Sequence, residues 1–289
     1  MIDKIDSKPP ARKILAINGS HHGDRGFTRF LIDLVFEGAR EAGAECDVLT
    51  LADLKVNRCI GCDHCQKNVT VPVDAVTFTP HCVWDGKDDA RMIFDRIAAA
   101  DVVIYATPVH VFGISGLMKN FLDRFYAYGN SSDIRVSEGG LMFHFVDHRY
   151  ASKPFVTLVC CGNLENETPA NIITYFRSFS RFMDAPMVGM LVRNGAEMMG
   201  KGKDPTAESR FPRIRDVFAA YRQAGRELAM YGTINKKTEH AANREIIPVP
   251  LFHLLKRIPF RTVKLKFAGQ AAQFQNHPST PESSSGKAA

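Results

Sequence analysis

The sequence predicts an α/β protein with a doubly wound parallel sheet of five strands. Short runs of apolar residues without alternation, typical of strands buried on both faces, alternate with segments of helical apolar spacing. Turns rich in glycine or proline follow the first and third strands. With 289 residues, of which 45% are hydrophobic and 24% charged, the chain is long enough to bury a full core.

The first half of the pattern contains the most clearly apolar elements. Residues 13–19 read as a buried strand, and residues 27–42 as a helix because apolar side chains recur at helical spacing before Gly43. A second strand follows at 46–51 and a helix at 88–100. The run Val102 to Tyr105 marks the third strand, 101–108.

The second half repeats the alternation. A helix is predicted at 115–126, a strand at 155–161, a helix at 169–183, a strand at 187–192 and a helix at 211–231. Strands that alternate with helices in this way predict βαβ units and hence a parallel sheet. The segment 129–148 is an insertion without a clear period, and no internal repeat is present.

The charge is distributed unevenly along the chain. The net charge is +6, but the segment from Thr233 onward contains nine Lys or Arg residues and only three acidic residues. The preceding part of the chain contains 28 basic and 28 acidic residues. A neutral body argues against nucleic-acid binding, which needs a basic face. We therefore predict a domain at 12–232 and a basic extension at 233–289 with a disordered tail from residue 273.

The N-terminal residues form no apolar signal segment, and no stretch approaches the length of a membrane span. A cytoplasmic location is expected. In that reducing compartment, seven cysteines indicate metal ligands or reactive thiols in preference to disulfides.

The loop after the first strand has the composition of an anion site. Glycines at 19, 23 and 26 allow backbone amides to approach a phosphate, and the hydroxyls of Ser20 and Thr28 can donate to it beside a helix N-terminus. The loop matches neither the dinucleotide pattern GxGxxG nor the Walker pattern. A plain glycine-rich turn capped by Ser20 is the alternative.

Three segments together resemble the NADPH-dependent FMN reductase family, and most of all its iron-sulfur flavoprotein branch. They are the loop 18–28, the segment Cys59-Ile60-Gly61-Cys62-Asp63-His64-Cys65, and the stretch 106–124. The resemblance covers about residues 12–232 and implies a flavodoxin-like fold, FMN as cofactor and NAD(P)H as a donor. Members typically have Asn where Phe27 stands.

The resemblance implies which residues contact the flavin. The phosphate is expected at Ser20, Gly26, Phe27 and Thr28, the ring against Thr107, Pro108, Val109, His110 and Val111, and the far side of the ring near Gly162. A proline-stiffened loop suits this role, because little flexibility is lost on binding. No residue is assigned an acid–base role. The predicted helix 115–126 is expected to place its side chains partly in the core and partly on a solvated face; this applies to Leu117, Lys119 and residues 121–124.

The cysteine motif Cys59-x2-Cys62-x2-Cys65 lets three thiolates reach one metal site from one loop, as in bacterial ferredoxin segments. Cys82 is the candidate fourth ligand of a 4Fe-4S cluster, although residues 66–81 intervene. Zinc, with His64 or His81 completing the site, and a metal-free loop are the alternatives. Cys160 and Cys161 read as buried strand residues.

The extension 246–267 mixes apolar and basic residues. A peripheral membrane arm and an arm packed on the body both fit this composition, and Pro248, Pro250 and Pro259 favour the packed arm because they break an amphipathic helix.

The sequence thus predicts an FMN-dependent oxidoreductase that passes electrons between a reduced donor and an acceptor through FMN and a 4Fe-4S cluster. The alternatives are a cluster-free NAD(P)H-dependent FMN or quinone reductase, and a non-enzymatic electron carrier or redox sensor. A small-molecule or protein donor and acceptor and a homo-oligomeric assembly are expected.

Overall fold

A computed structural model describes residues 11–67, 69–202 and 211–247, together with residues 207, 209, 254, 257, 261, 262, 264, 265, 268 and 269. Five parallel strands form its central sheet: β1 (Lys13–Asn18), β2 (Glu45–Thr50), β3 (Val102–His110), β7 (Phe155–Cys160) and β8 (Met187–Arg193). Their order is β2-β1-β3-β7-β8. This is the flavodoxin-like order, so the predicted fold class is confirmed.

Helices cover both faces of the sheet because the strands bury alternate side chains on each side. Ile14 and Ala16 of β1 join one core cluster, whereas Leu15 and Ile17 join the other. The helices are α1 (Phe27–Glu41), α2 (Ala90–Ala99), α3 (Gly116–Leu122), α4 (His148–Ala151), α5 (Ala170–Phe182), α6 (Ile214–Tyr231) and α7 (Lys236–Ala242). Residues of α1 and α6 line the first cluster, and residues of α2, α3 and α5 line the second.

Two features lie outside the predicted alternation. The insertion at 129–148 contains an antiparallel hairpin, β5 (Gly129–Val136) and β6 (Met142–Val146). A short strand, β4 (Gly113–Ile114), turns back on the end of β3. The predicted helix at 115–126 ends at Leu122 and continues as a 3-10 turn, Asp123–Tyr128.

The chain beyond residue 232 continues on the body. Ile234, Ala242, Ile246 and Ile247 are buried in the same core cluster as α1 and α6. The predicted domain boundary therefore precedes residues that pack on the core. Lys264 forms an ion pair with Glu165. Most of the extension, including the tail predicted to be disordered, lies outside the described residues.

Within the described part of the chain, no helix has both the length and the apolar character that a membrane span requires.

Candidate functional site

The loop after β1 is held by buried polar side chains that leave its glycines close to the start of α1. The amide of Asn18 donates to the Gly23 carbonyl over 3.3 Å, and its side-chain oxygen accepts from the backbone N–H of Ser20 over 3.1 Å. Gly23 has a φ of +55°, and a Cβ on Gly26 would come within 2.8 Å of Ser20 Oγ. These contacts explain why glycine stands at both positions.

The start of α1 has the properties of an anion site. Its N-cap is Gly26, which supplies no side-chain cap, and its first turn contains no acidic residue. Asp24, just before it, is neutralised by Arg29 at 2.5 Å. The positive end of the helix is therefore not occupied by a side chain of its own first turn.

The other two predicted contacts in this loop are directed toward the core. Thr28 is buried, and so is the Cys160 thiol, whose pKa burial raises to about 12 and Thr28 lowers. Phe27 packs against the core cluster that contains α1. Cys160 and Cys161 are buried at the end of β7, as predicted.

The shelf, which we define as residues 107–111, runs along the end of β3 beside the loop. Thr107 is buried, Pro108 and Val109 are half-buried, and His110 and Val111 are exposed. The ring of His110 stacks on His21, with centroids 5.1 Å apart. Burial lowers the pKa of His110, and His21 and His22 lower it further, so the neutral ring is favoured.

Ser115 connects the loop, the shelf and α3 through hydrogen bonds. It was not among the site residues predicted from the sequence. Its hydroxyl donates to the Gly19 carbonyl over 2.6 Å and accepts from Met118 N–H over 3.2 Å as the N-cap of α3. Its own N–H donates to Thr107 Oγ1 over 3.0 Å. A serine before a helix signals an N-cap, but its bond to Gly19 depends on a partner 96 residues away.

The loop after β7 reaches the same edge of the sheet. Gly162 is exposed there, and a Cβ on it would lie 3.3 Å from Glu197 Oε1. The predicted contacts therefore lie at the ends of three neighbouring strands, β1, β3 and β7, where flavodoxin-like sheets bind ligands.

The four cysteines of the predicted metal loop border one cavity. Cys59 and Cys62 are exposed, Cys82 is half-buried and Cys65 is buried. The opposite wall comes from the turn after α3, and the apolar walls include Ile60, Val83 and Trp84. In the part of the chain that the structure describes, no three His, Cys, Asp or Glu side chains stand close enough to hold one metal ion.

The thiols of this cavity influence one another. Burial raises the pKa of Cys65, a hydrogen bond from Gln66 lowers it, and the nearby thiols of Cys82 and Cys59 raise it. Gln66 fixes the loop by donating to the carbonyls of Tyr126 and Gly129 over 2.9 and 3.2 Å. His64 and His81 form an edge-to-face pair at 5.5 Å, with His81 Nε2 at 3.1 Å from the His64 carbonyl.

Arg124 belongs to the wall of this cavity and not to a solvated face, which corrects the interpretation of the run 121–124. Its side chain is 3% exposed and pairs at 2.5 Å with Asp88, whose side chain is 0% exposed. Asp88 lies 36 residues earlier in the sequence, just before α2, so the helical periodicity of the segment 115–126 could not indicate this pairing.

Residues 12–139 match the model of the NADPH-dependent FMN reductase family. This part of the chain is therefore similar to that family, and the match covers less than half of the 289 residues. The matched segment includes the loop after β1, the four cysteines that border the cavity and the shelf.

Among curated proteins, the chain is 30% identical over 112 residues to an iron-sulfur flavoprotein of Archaeoglobus fulgidus, which covers 39% of this chain and 48% of that protein. The chain thus spans about half the length of the curated relatives it matches.

Two solved structures share the fold of this chain. An FMN-dependent NADH-azoreductase from Bacillus anthracis in complex with FMN aligns with a TM-score of 0.52 at 14% identity, over 75% of this chain and 99% of that chain. An NAD(P)H:quinone oxidoreductase from Methanothermobacter marburgensis aligns with a TM-score of 0.52 at 18% identity, over 76% of this chain and 100% of that chain. At these identities the likeness shows the fold alone.

Proposed function

We propose that the chain is an FMN-dependent oxidoreductase that passes electrons between a reduced donor, such as NAD(P)H, and an acceptor, with a 4Fe-4S cluster as one-electron partner. The observation that carries this proposal is the position of α3. Its first residues adjoin the shelf through Ser115, and the turn after its last residue borders the four-cysteine cavity. α3 has seven residues and is about 10 Å long at 1.5 Å per residue, so the shelf and the cavity adjoin opposite ends of one short helix.

In this proposal the loop after β1 holds the FMN phosphate at Ser20, Gly26, Phe27 and Thr28. The uncapped start of α1 supports the role, because a helix N-terminus stabilises an anion without needing a cationic side chain. Thr28 is buried and the half-buried Phe27 packs against a core cluster, so these two residues would contribute their backbone in preference to their side chains.

The shelf residues Thr107, Pro108, Val109, His110 and Val111 would orient the flavin ring, with Gly162 on the other side. Hydrogen bonds from Ser115 to Gly19 and Thr107 hold the shelf and the loop at a constant separation. When bound, FMN would take up two electrons as hydride and release them singly to a one-electron centre. His110 would meet the ring as a neutral group.

The ligands of the cluster would be Cys59, Cys62, Cys65 and Cys82. Four thiols that border one cavity form the donor set that iron-sulfur clusters use, and five curated relatives are named iron-sulfur flavoproteins. Two cysteines stand exposed and one is buried, so the cavity opens on the side of Cys59 and Cys62.

The first test is the visible spectrum of protein purified without oxygen, before and after dithionite. We expect flavin bands on a broad shoulder that bleaches, together with iron and FMN in the purified protein. Replacing Cys62→Ala should remove the iron and leave FMN bound, whereas Cys46→Ala, a half-buried cysteine on β2, should retain both. If the Cys62→Ala variant keeps its full iron content, Cys62 is not a ligand.

A cluster-free NAD(P)H-dependent FMN or quinone reductase is the second candidate, because the family match covers the flavin segments irrespective of metal. Flavin bands without iron in the wild-type protein would select it. Steady-state oxidation of NAD(P)H with a quinone or free flavin as acceptor separates both enzymes from a pure electron carrier or redox sensor, which would show no turnover. Homo-oligomeric assembly is a further proposal, tested by the mass in solution.

A further inference from the structure

Arg124 is a buried cation in the wall of the four-cysteine cavity. One of its terminal nitrogens donates to Asp88 over 2.5 Å and to the Asn57 carbonyl over 3.0 Å. Both charged side chains are withdrawn from water, at 3% and 0% exposure. Their electrostatic influence on neighbouring groups is therefore screened far less than that of a surface pair.

The hydrogen bonds of Arg124 are incomplete within the described residues. Its buried Nε has no partner there, although a buried donor is normally satisfied. Cys82 borders the same cavity, and its thiol interacts electrostatically with this guanidinium. A cation with an unused donor next to a thiol is placed to interact with a sulfur ligand.

We propose that Arg124 tunes the cluster bound by Cys59, Cys62, Cys65 and Cys82, raising its reduction potential by stabilising the added electron. This inference rests on the proposed cluster. Four thiolates make such a site negative, and each electron taken up makes it more negative by one charge. Net charge and hydrogen bonds to sulfur set the potential of iron-sulfur centres, and a buried cation acts through both.

A purely structural role is the competing explanation, because Arg124 also ties the backbone at Asn57 to Asp88. The two roles differ in their effect on the redox equilibrium. A structural residue alters stability or iron content, whereas a tuning residue alters the potential of a cluster that is still fully assembled.

The experiment is a redox titration of the anaerobically purified full chain with dithionite, followed by the electron paramagnetic resonance signal of the reduced cluster. In Arg124→Gln, reduction should become about tenfold less favourable, which is a potential lower by about 59 mV for one electron. The control is Arg149→Gln. Arg149 also pairs with a buried aspartate, Asp147, but it does not border the cavity.

Asp88→Asn supplies the opposite change. It retains the shape of the side chain but leaves the charge of Arg124 uncompensated, so the potential should rise. Arg124→Lys keeps the charge and should stay closer to the wild-type value than Arg124→Gln. These two variants decide the question if Arg124→Gln fails to fold or to hold iron.

Opposite shifts in Arg124→Gln and Asp88→Asn, with Arg149→Gln unchanged, would establish the tuning role. If assembled variants titrate at the wild-type potential, the role of Arg124 is structural and the cluster proposal stands. If anaerobic wild-type protein contains no iron, the cluster proposal and this inference both fail.

Discussion

Val111 and Phe112 form the two-residue turn between β3 and β4, and both have positive φ angles, of 46° and 62°. Such turns favour Asn-Gly, because β-branched and bulky residues are strained in the left-handed region. Both side chains are also exposed, at 93% and 59%. Val111 and Phe112 are therefore strained and exposed at the end of the proposed flavin shelf. This fits a role in contacting the flavin better than a role in stabilising the fold.

The double replacement Val111→Asn with Phe112→Gly should raise the free energy of unfolding by about 1 kcal/mol, because it relieves this strain. It should weaken FMN binding about tenfold through the loss of apolar contact. Urea unfolding and fluorescence titration with FMN measure the two effects. Val76→Asn, at an exposed valine without positive φ, is the control. A less stable double variant would contradict the strain argument.

At the scale of elements, α1 and α6 pack backbone to backbone. A Cβ on Gly38 would lie 1.8 Å from the Arg222 carbonyl oxygen, and one on Gly225 would lie 1.8 Å from that of Val35. No flexible side chain can move to make room, since the obstacles are main-chain atoms. The two helices can therefore approach this closely only because both positions are glycine, which has no Cβ.

Gly225→Ala should lower the free energy of unfolding by about 3 kcal/mol, because overpacking outweighs the gain in helix propensity. The matched control is Gly116→Ala in the first turn of α3, where a Cβ would meet nothing within 4 Å. That control should unfold at the wild-type urea concentration or slightly above it. Equal midpoints for the two variants would show that α6 can move away from α1 at little cost.

The inner strands β1, β3 and β7 could be predicted because they are apolar on both faces, as Val102 to Tyr105 shows. The hairpin β5–β6 could not, since β5 is mostly polar and exposed. α7 also lacks an apolar stripe. Its polar residues instead bond the edge strand β8: Glu239 accepts from Met190 N–H over 3.1 Å, and Asn243 from Val192 N–H over 2.7 Å. Such tertiary partners leave no local pattern.

For the candidate site, the glycines and cysteines were visible as motifs because their spacing is local. Ser115 and Arg124 were not visible as site residues, because each is defined by a partner distant in sequence: Gly19 for Ser115 and Asp88 for Arg124. Sequence patterns thus predicted where the loops lie, and tertiary contacts revealed which side chains hold them in place.

At the scale of the whole molecule, residues 233–247 complete the body. They bury Ile234, Ala242, Ile246 and Ile247 in one core cluster, and they cover the outer edge of β8. Arg193, which is 1% exposed, donates to the carbonyls of Ala242 and Arg244 over 3.1 and 2.7 Å and so fixes the end of α7. We propose that the folded domain extends to about residue 247.

Truncation tests this boundary. A chain that ends at Ile247 should unfold cooperatively near the wild-type urea midpoint. A chain that ends at Gly232 should be strongly destabilised and should aggregate, because it exposes core side chains and an unpaired strand edge. Circular dichroism and light scattering report the two effects. A soluble, cooperative product from the shorter chain would restore the boundary at residue 232.

The hydrogen bonds of Ser115 also affect which ligands can bind. Its hydrogen bonds to Gly19 and Thr107 fix the spacing between these two residues before any ligand arrives. Under the proposed binding mode, that spacing selects ligands by length: a molecule gains both contacts only if its phosphate and its ring lie the right distance apart. Riboflavin, which lacks the phosphate, would be discriminated against by geometry as well as by charge.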